Sequence, residues 1–192
     1  MIGHIFKRLL GRRQYSIEPG AILHDTARIF NNTGNRSAIS IGRFTHVRGE
    51  LLTFAHGGAI SIGEYCYIGE STRIWSARSI RMGNRVLIAH NVTILDSLTH
   101  PIGAKARHQH FKHIITVGHP ERIDLGERAV DIGDDVWIGC MSIVLRGVSL
   151  GRGAIVGAGS VVTENVPPWT LVAGNPARFI KRMSELPYGE PR

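Results

Sequence analysis

Between Asp131 and Pro167 an aliphatic residue recurs at every sixth position, Ile132, Ile138, Val144, Leu150, Val156 and Val162, and glycine follows it directly at Gly133, Gly139, Gly151 and Gly157. Four residues after each aliphatic stands a small or β-branched residue: Val136, Ser142, Val148, Ala154, Ser160 and Val166. Every hexad therefore offers two side chains to an interior, separated by positions that can face water. An α-helix cannot produce that spacing, because six residues do not close on a 3.6-residue turn. Three hexads, about 18 residues, close one triangular coil whose strands stack in parallel at about 4.8 Å. The period predicts an all-β chain wound as a parallel β-helix, with glycine at corners where a Cβ is costly.

The pattern reaches back through the chain, readable at Ile41-Gly42 and Val47, and clearer at Ile62-Gly63, Ile68-Gly69, Ile74, Met82-Gly83, Ile88-Ala89 and Ile94. Its register slips between Val47 and Ile62, and by two residues between Ile74 and Met82, which lengthened corners absorb. Arg78 falls in the second slip and is expected to face outward. Between Ile94 and Ile132 the hexads stop, and the segment holds five of the ten histidines. Loops of this length are functional or disordered, and regular coil on both sides makes this one an excursion. After Val166, Pro167 and Pro168 end the pattern, Gly174-Asn175-Pro176 turns the chain, and Ala177 to Met183 read as a short helix. Residues 1–14 place Ile2, Ile5, Phe6, Leu9 and Leu10 on one helical face beside Lys7, Arg8, Arg12 and Arg13. That basic amphipathic helix caps the first coil or touches an anionic membrane surface. The expected organisation is one domain over 1–192: helix 1–14, coils 20–95 and 131–167, an excursion loop 96–130 and a helix 176–184.

A content of 43% hydrophobic but only 7% aromatic residues suits a solenoid core of stacked Ile and Val. The net charge of +8 suits nucleic acid, an anionic membrane or a phosphorylated cofactor, and no nucleic-acid motif accompanies it. Cys66 and Cys140 supply no metal or disulfide framework and are compatible with reduced cytoplasmic thiols. No apolar run has the length of a membrane span and no signal-peptide pattern is present, so a cytoplasmic location is expected, at the inner face of the membrane if the first helix engages lipid.

LIAHNVTILDSLTHP, then DDVWIG, VGAGSVVT and AGNPARFIK, resemble in order and spacing the hexapeptide-repeat sugar and xenobiotic O-acetyltransferases of the maltose, galactoside and nodulation-factor type. The resemblance spans roughly residues 60–183. It implies a left-handed coil, against the usual hand of parallel crossovers. It also implies a homotrimer with sites between subunits, acetyl-CoA as co-substrate, and an acceptor hydroxyl on a saccharide or related small molecule. The base in that family is the histidine of a Thr/Gly-His-Pro segment after an Asn-Val-Thr strand, which corresponds here to His100 after Asn91-Val92-Thr93. The chemistry suits the residue: an alcohol must lose its proton as it attacks a thioester, and imidazole titrates near physiological pH. His119, also followed by proline, is a rival without that upstream anchor. His108, His110 and His113 could suggest a metal site, but a γ-class carbonic anhydrase would draw its histidines from adjacent coils and subunits in a different sequence context, and with none of that pattern here no catalytic metal is expected.

By the same resemblance, Cys140 and Ala158 line the pantetheine path, Thr163 lies near its far end, and Arg178 and Lys181 meet the phosphates. Small residues admit a thin ligand arm, and Arg and Lys neutralise phosphate. Glu164 stands where a lysine often follows that threonine, which removes one expected phosphate contact. Cys140 has no activating base in its local sequence, so direct transfer is expected, not an acyl-cysteine. Trp137 is expected to pack beside the site. Two alternatives stay open: a nucleotide-sugar N-acetyltransferase using the same base and coil, and a non-catalytic β-helix scaffold in surface-glycan assembly.

Overall fold

The computed structural model describes residues 14–184, so the helix expected over 1–14 lies, apart from Gln14, outside the described residues. Among the described residues the chain winds through three sheets of six, eight and six strands, which form the walls of a left-handed parallel β-helix. Down the first wall Ile41, Ile62, Met82, Ile132 and Leu150 stack in register. Val47, Ile68, Ile88, Ile138 and Val156 do so on the second, and Leu51, Ile74, Ile94, Val144 and Val162 on the third. Both inward positions of every hexad from Ile132 to Val166 are at most 4% exposed, as the six-residue period requires. Each fully buried aliphatic of this kind contributes about 1.5–3 kcal/mol from leaving water.

Where the second inward residue carries a hydroxyl, the corner backbone satisfies it. Thr72 Oγ1 donates to the Ala89 carbonyl at 2.7 Å and accepts from the Val92 amide at 3.1 Å. Ser142 and Ser160 both donate to the Gly157 carbonyl, at 3.0 and 2.6 Å. The glycine after each aliphatic answers to clearance between coils and not to dihedral freedom. A Cβ at Gly63 would lie 2.4 Å from the Gly83 carbonyl oxygen of the next coil, while the left-handed corner residues are Tyr65, Arg85 and Asp135, with φ of 55°, 57° and 61°.

Both register slips are lengthened corners. The first holds Gly57 and Gly58, and the second holds 77–79, where Arg78 is exposed as expected. Asp96, itself fully buried, closes the second corner. Its carboxylate accepts from the amides of Ala77, Arg78 and Ser79 at 2.7, 2.9 and 2.8 Å and from Ser76 Oγ at 2.7 Å.

Three expectations need correction. Pairing begins with Ser16–Ile17, ahead of residue 20. The excursion 96–130 is not all loop, since Ala104–Thr116 is an α-helix. The C-terminal helix expected over 176–184 is instead the strand Arg178–Arg182, antiparallel to Thr170–Ala173 at the end of the second wall. A segment this short gains little as an isolated helix, whereas the open edge of the wall supplies ladder partners, with Leu171 opposite Lys181 and Ala173 opposite Arg178. The coils on either side of the excursion are also tied by side chains: Arg81 meets Asp131 at 2.6 Å and Arg85 meets Asp135 at 2.6 Å, each pair fifty positions apart.

Candidate active site

The excursion leaves the third wall after Thr93–Leu95, turns through Asp96, and returns at Val130–Ile132. Its two legs are pinned together: the Arg128 amide donates to the Asp96 carbonyl at 2.8 Å, and the Leu98 amide to the Leu125 carbonyl at 3.0 Å. Thr99 sits in the left-handed region at φ 63°, an unfavourable place for a β-branched residue, and the next side chain, His100, emerges exposed. Strain of this sort concentrates where a residue must be presented in one direction.

His100 stands on a pocket of about 240 Å³ between the excursion and the coil, which Phe54, His56, Trp75, His110, His119 and Leu125 also line. His100 Nδ1 lies 3.1 Å from His110 Nδ1, with the rings edge to face. His110 is 8% exposed, held by the helix with Ile114 beside it, and burial first, then the positive charge that His100, His119, His56 and His113 carry when protonated, lowers its pKa from the ordinary histidine value. Phe54 and Trp75 meet edge to face at 6.5 Å, and Trp75 Nε1 donates to Glu50 Oε1 at 2.7 Å. His56 Nε2 lies 3.4 Å from Glu127 Oε1, too poorly aligned for a hydrogen bond, and is buried without a hydrogen-bond partner among the described residues.

The structure brings His100 and its rival His119 to the same pocket. His110, read in the sequence only as part of a histidine run, and the pinning carboxylate Asp96 went unrecognised. A signal existed for Asp96, which keeps the inward alternation of Ile94 and so had to find buried donors. Among the described residues no three His, Cys, Asp or Glu side chains converge as a metal site.

None of the expected cofactor residues is among those that line this pocket. Cys140 and Ala158 occupy stacked corners, where the Cys140 carbonyl accepts from the Gly159 amide at 2.8 Å. Thr163, Arg178 and Lys181 are exposed. Glu164 does more than omit a lysine, because its Oε1 lies 3.5 Å from Arg178 Nη1. Trp137 is 52% exposed on the outer side of the second wall, between Leu87 and Ile155, and does not pack into the coil.

The family model described as Bacterial transferase hexapeptide (six repeats) matches residues 129–164. The chain is 33% identical over 153 residues to the Escherichia coli protein named "Putative lipopolysaccharide biosynthesis O-acetyl transferase WbbJ", and the match covers 77% of this chain and 74% of WbbJ. The chain belongs to the hexapeptide-repeat acetyltransferase family. To this family member the galactoside O-acetyltransferase of Escherichia coli is 33% identical over 133 residues, covering 69% of this chain but only 58% of the relative's length. Among solved structures, a serine-to-cysteine mutant of the N-acyltransferase AntD of Bacillus cereus, in complex with dTDP-4-amino-4,6-dideoxyglucose and coenzyme A, superposes with a TM-score of 0.70 at 22% identity, over 88% of this chain and 84% of its own. That likeness establishes the shared β-helix.

Proposed function

We propose that this family member transfers an acetyl group from acetyl-CoA to a hydroxyl of a saccharide or related small acceptor, with His100 as general base. The observation that carries the reading is the exposed His100, presented by the strained Thr99 turn at a pocket walled by Phe54 and Trp75. His100 takes the acceptor's hydroxyl proton as the oxygen attacks the thioester carbonyl. The tetrahedral oxyanion then collapses, the carbon–sulfur bond breaks, and the coenzyme leaves as its thiol with the proton that His100 held. Acyl ester and CoASH are the products, and no covalent enzyme intermediate forms.

Acetyl-CoA lies along the coil corners at Cys140 and Ala158, with Thr163 toward its far end and its phosphates near Arg178 and Lys181. The Glu164 carboxylate must release Arg178 for that contact, and both side chains are more than half exposed, so the exchange costs little. The enzyme acts as a homotrimer. Leu87, Trp137 and Met141, at 50%, 52% and 61% exposed, supply an outward apolar surface for a neighbouring subunit. Calorimetric titration with acetyl-CoA, CoA and a longer acyl-CoA tests the cofactor assignment. Binding in the micromolar range, about −8 kcal/mol, that weakens at least tenfold in Arg178→Ala supports it, and no binding by any acyl-CoA contradicts it. Product analysis with amino and hydroxy sugars separates O-transfer from N-transfer, for which an amine-only acceptor range would argue.

A further inference from the structure

Resting on His100 as the base that meets the acceptor, we propose that His110 is its positioning residue: it accepts the Nδ1 proton of His100 and so leaves His100 Nε2 as the free basic nitrogen. The two Nδ1 atoms face each other at 3.1 Å, so one carries a proton and the other a lone pair. Exposure decides which. His100 is exposed at the pocket, whereas His110, on the wall of the same pocket, is only 8% exposed. Of this pair His100 is the ring open to an acceptor, and a general base needs a bare nitrogen on the side where the acceptor sits. With Nε2 bare, the single proton of neutral His100 is on Nδ1 and His110 receives it. In the reverse arrangement His100 Nε2 would hold the proton and have no lone pair to offer.

The pairing also changes during the reaction. When His100 takes the acceptor's proton, both its nitrogens become donors, and the Nδ1 bond to His110 turns charge-assisted and stronger. His110 can serve only while it stays unprotonated. Burial and the histidines around it, His100, His119, His56 and His113, disfavour its charged form. Here the excursion helix supplies, with an imidazole, the orienting acceptor that a carboxylate provides in a serine-protease triad.

Long-range proton–nitrogen correlation spectra of the full chain with labelled histidine rings test this without any transfer assay. The expected result is His100 in the Nδ1–H tautomer, reverting toward the Nε2–H form in His110→Phe, and holding Nδ1–H in His110→Gln, whose amide oxygen still accepts. In transfer assays His110→Phe should lower kcat about 100-fold, well short of the ~10⁴-fold loss from a wholly wrong tautomer. Acetyl-CoA affinity should not change, and His110→Gln should recover most of the rate. Should His110→Phe fail to fold, judged by circular dichroism, His110→Gln alone carries the test. His100 found as Nε2–H in the wild-type protein, or unmoved by His110→Phe, overturns the proposal. If His100→Ala retains activity while the tautomers behave as expected, the base assignment fails and the pairing stands.

Discussion

Ser76 Oγ donates to Asp96 Oδ2 at 2.7 Å, across the corner where one coil is longer than its neighbours. The same carboxylate accepts three successive backbone amides, and the Asp96 carbonyl binds the returning leg of the excursion at Arg128. One buried side chain thus closes the corner and fixes the root of the segment that carries His100. Asp96→Ala would leave three backbone amides without their acceptor and should destabilise the fold by about 3–5 kcal/mol. Asp96→Asn, with a single acceptor oxygen, should cost less. Urea denaturation measures both, and a loss below about 1 kcal/mol for Asp96→Ala would show that water replaces the carboxylate.

Thr99 holds φ at 63° immediately before His100. Glycine has no steric penalty there, so Thr99→Gly should raise stability by roughly 1 kcal/mol. The same change loosens the turn that aims His100, and kcat should fall several-fold. Stability and activity measured on one preparation check the pair, and a variant with higher stability and unchanged kcat would show that the strain has no part in presentation.

How legible this was depended on where each segment finds its partners. The hexads were readable because Ile132, Ile138 and Val144 find theirs on fixed neighbouring coils, so spacing alone sets their burial. The helix Ala104–Thr116 gave no aliphatic stripe: its packed edge is His110 and Ile114, while Phe111 and Ile115 remain 52% and 61% exposed. Arg178–Arg182 is a strand because Thr170–Ala173 lies open beside it, a relation that local helix signals do not contain. The motif singled out His100, and the structure brings it to a pocket, whereas its contact with His110 depends on the path of that helix.

His110 gives a signed pH dependence. Its folded pKa lies below the ordinary value of 6.5, so the unfolded chain binds the proton more readily. Stability is therefore fully present above about pH 6.5 and declines as pH falls below it. Burial is the first cause of that lowering, and the groups facing His110, namely His100, His119, His56 and His113, are the coulombic causes after it. Thermal melts at pH 7.5 and 5.5 should show a smaller acid loss for His110→Gln than for the wild-type protein. Equal losses would place the acid-sensitive group elsewhere.

The outward residues of the second wall bear on assembly. Trp137→Glu puts a charge on the outer side of the second wall, between Leu87 and Ile155. Sedimentation should show a trimer for the wild-type chain and a monomer for the variant, with the β-helix intact by circular dichroism. A trimer that survives Trp137→Glu would move the subunit interface to another wall.

The most direct test of the central claim is CoA thiol release from acetyl-CoA with a panel of saccharides and nucleotide sugars, for the wild-type chain and His100→Ala together. The wild-type chain should release thiol with at least one hydroxyl acceptor. His100→Ala should lose about 10²–10⁴-fold in kcat, the scale of general-base catalysis, while binding acetyl-CoA as before. Release by His100→Ala at the wild-type rate would contradict the account.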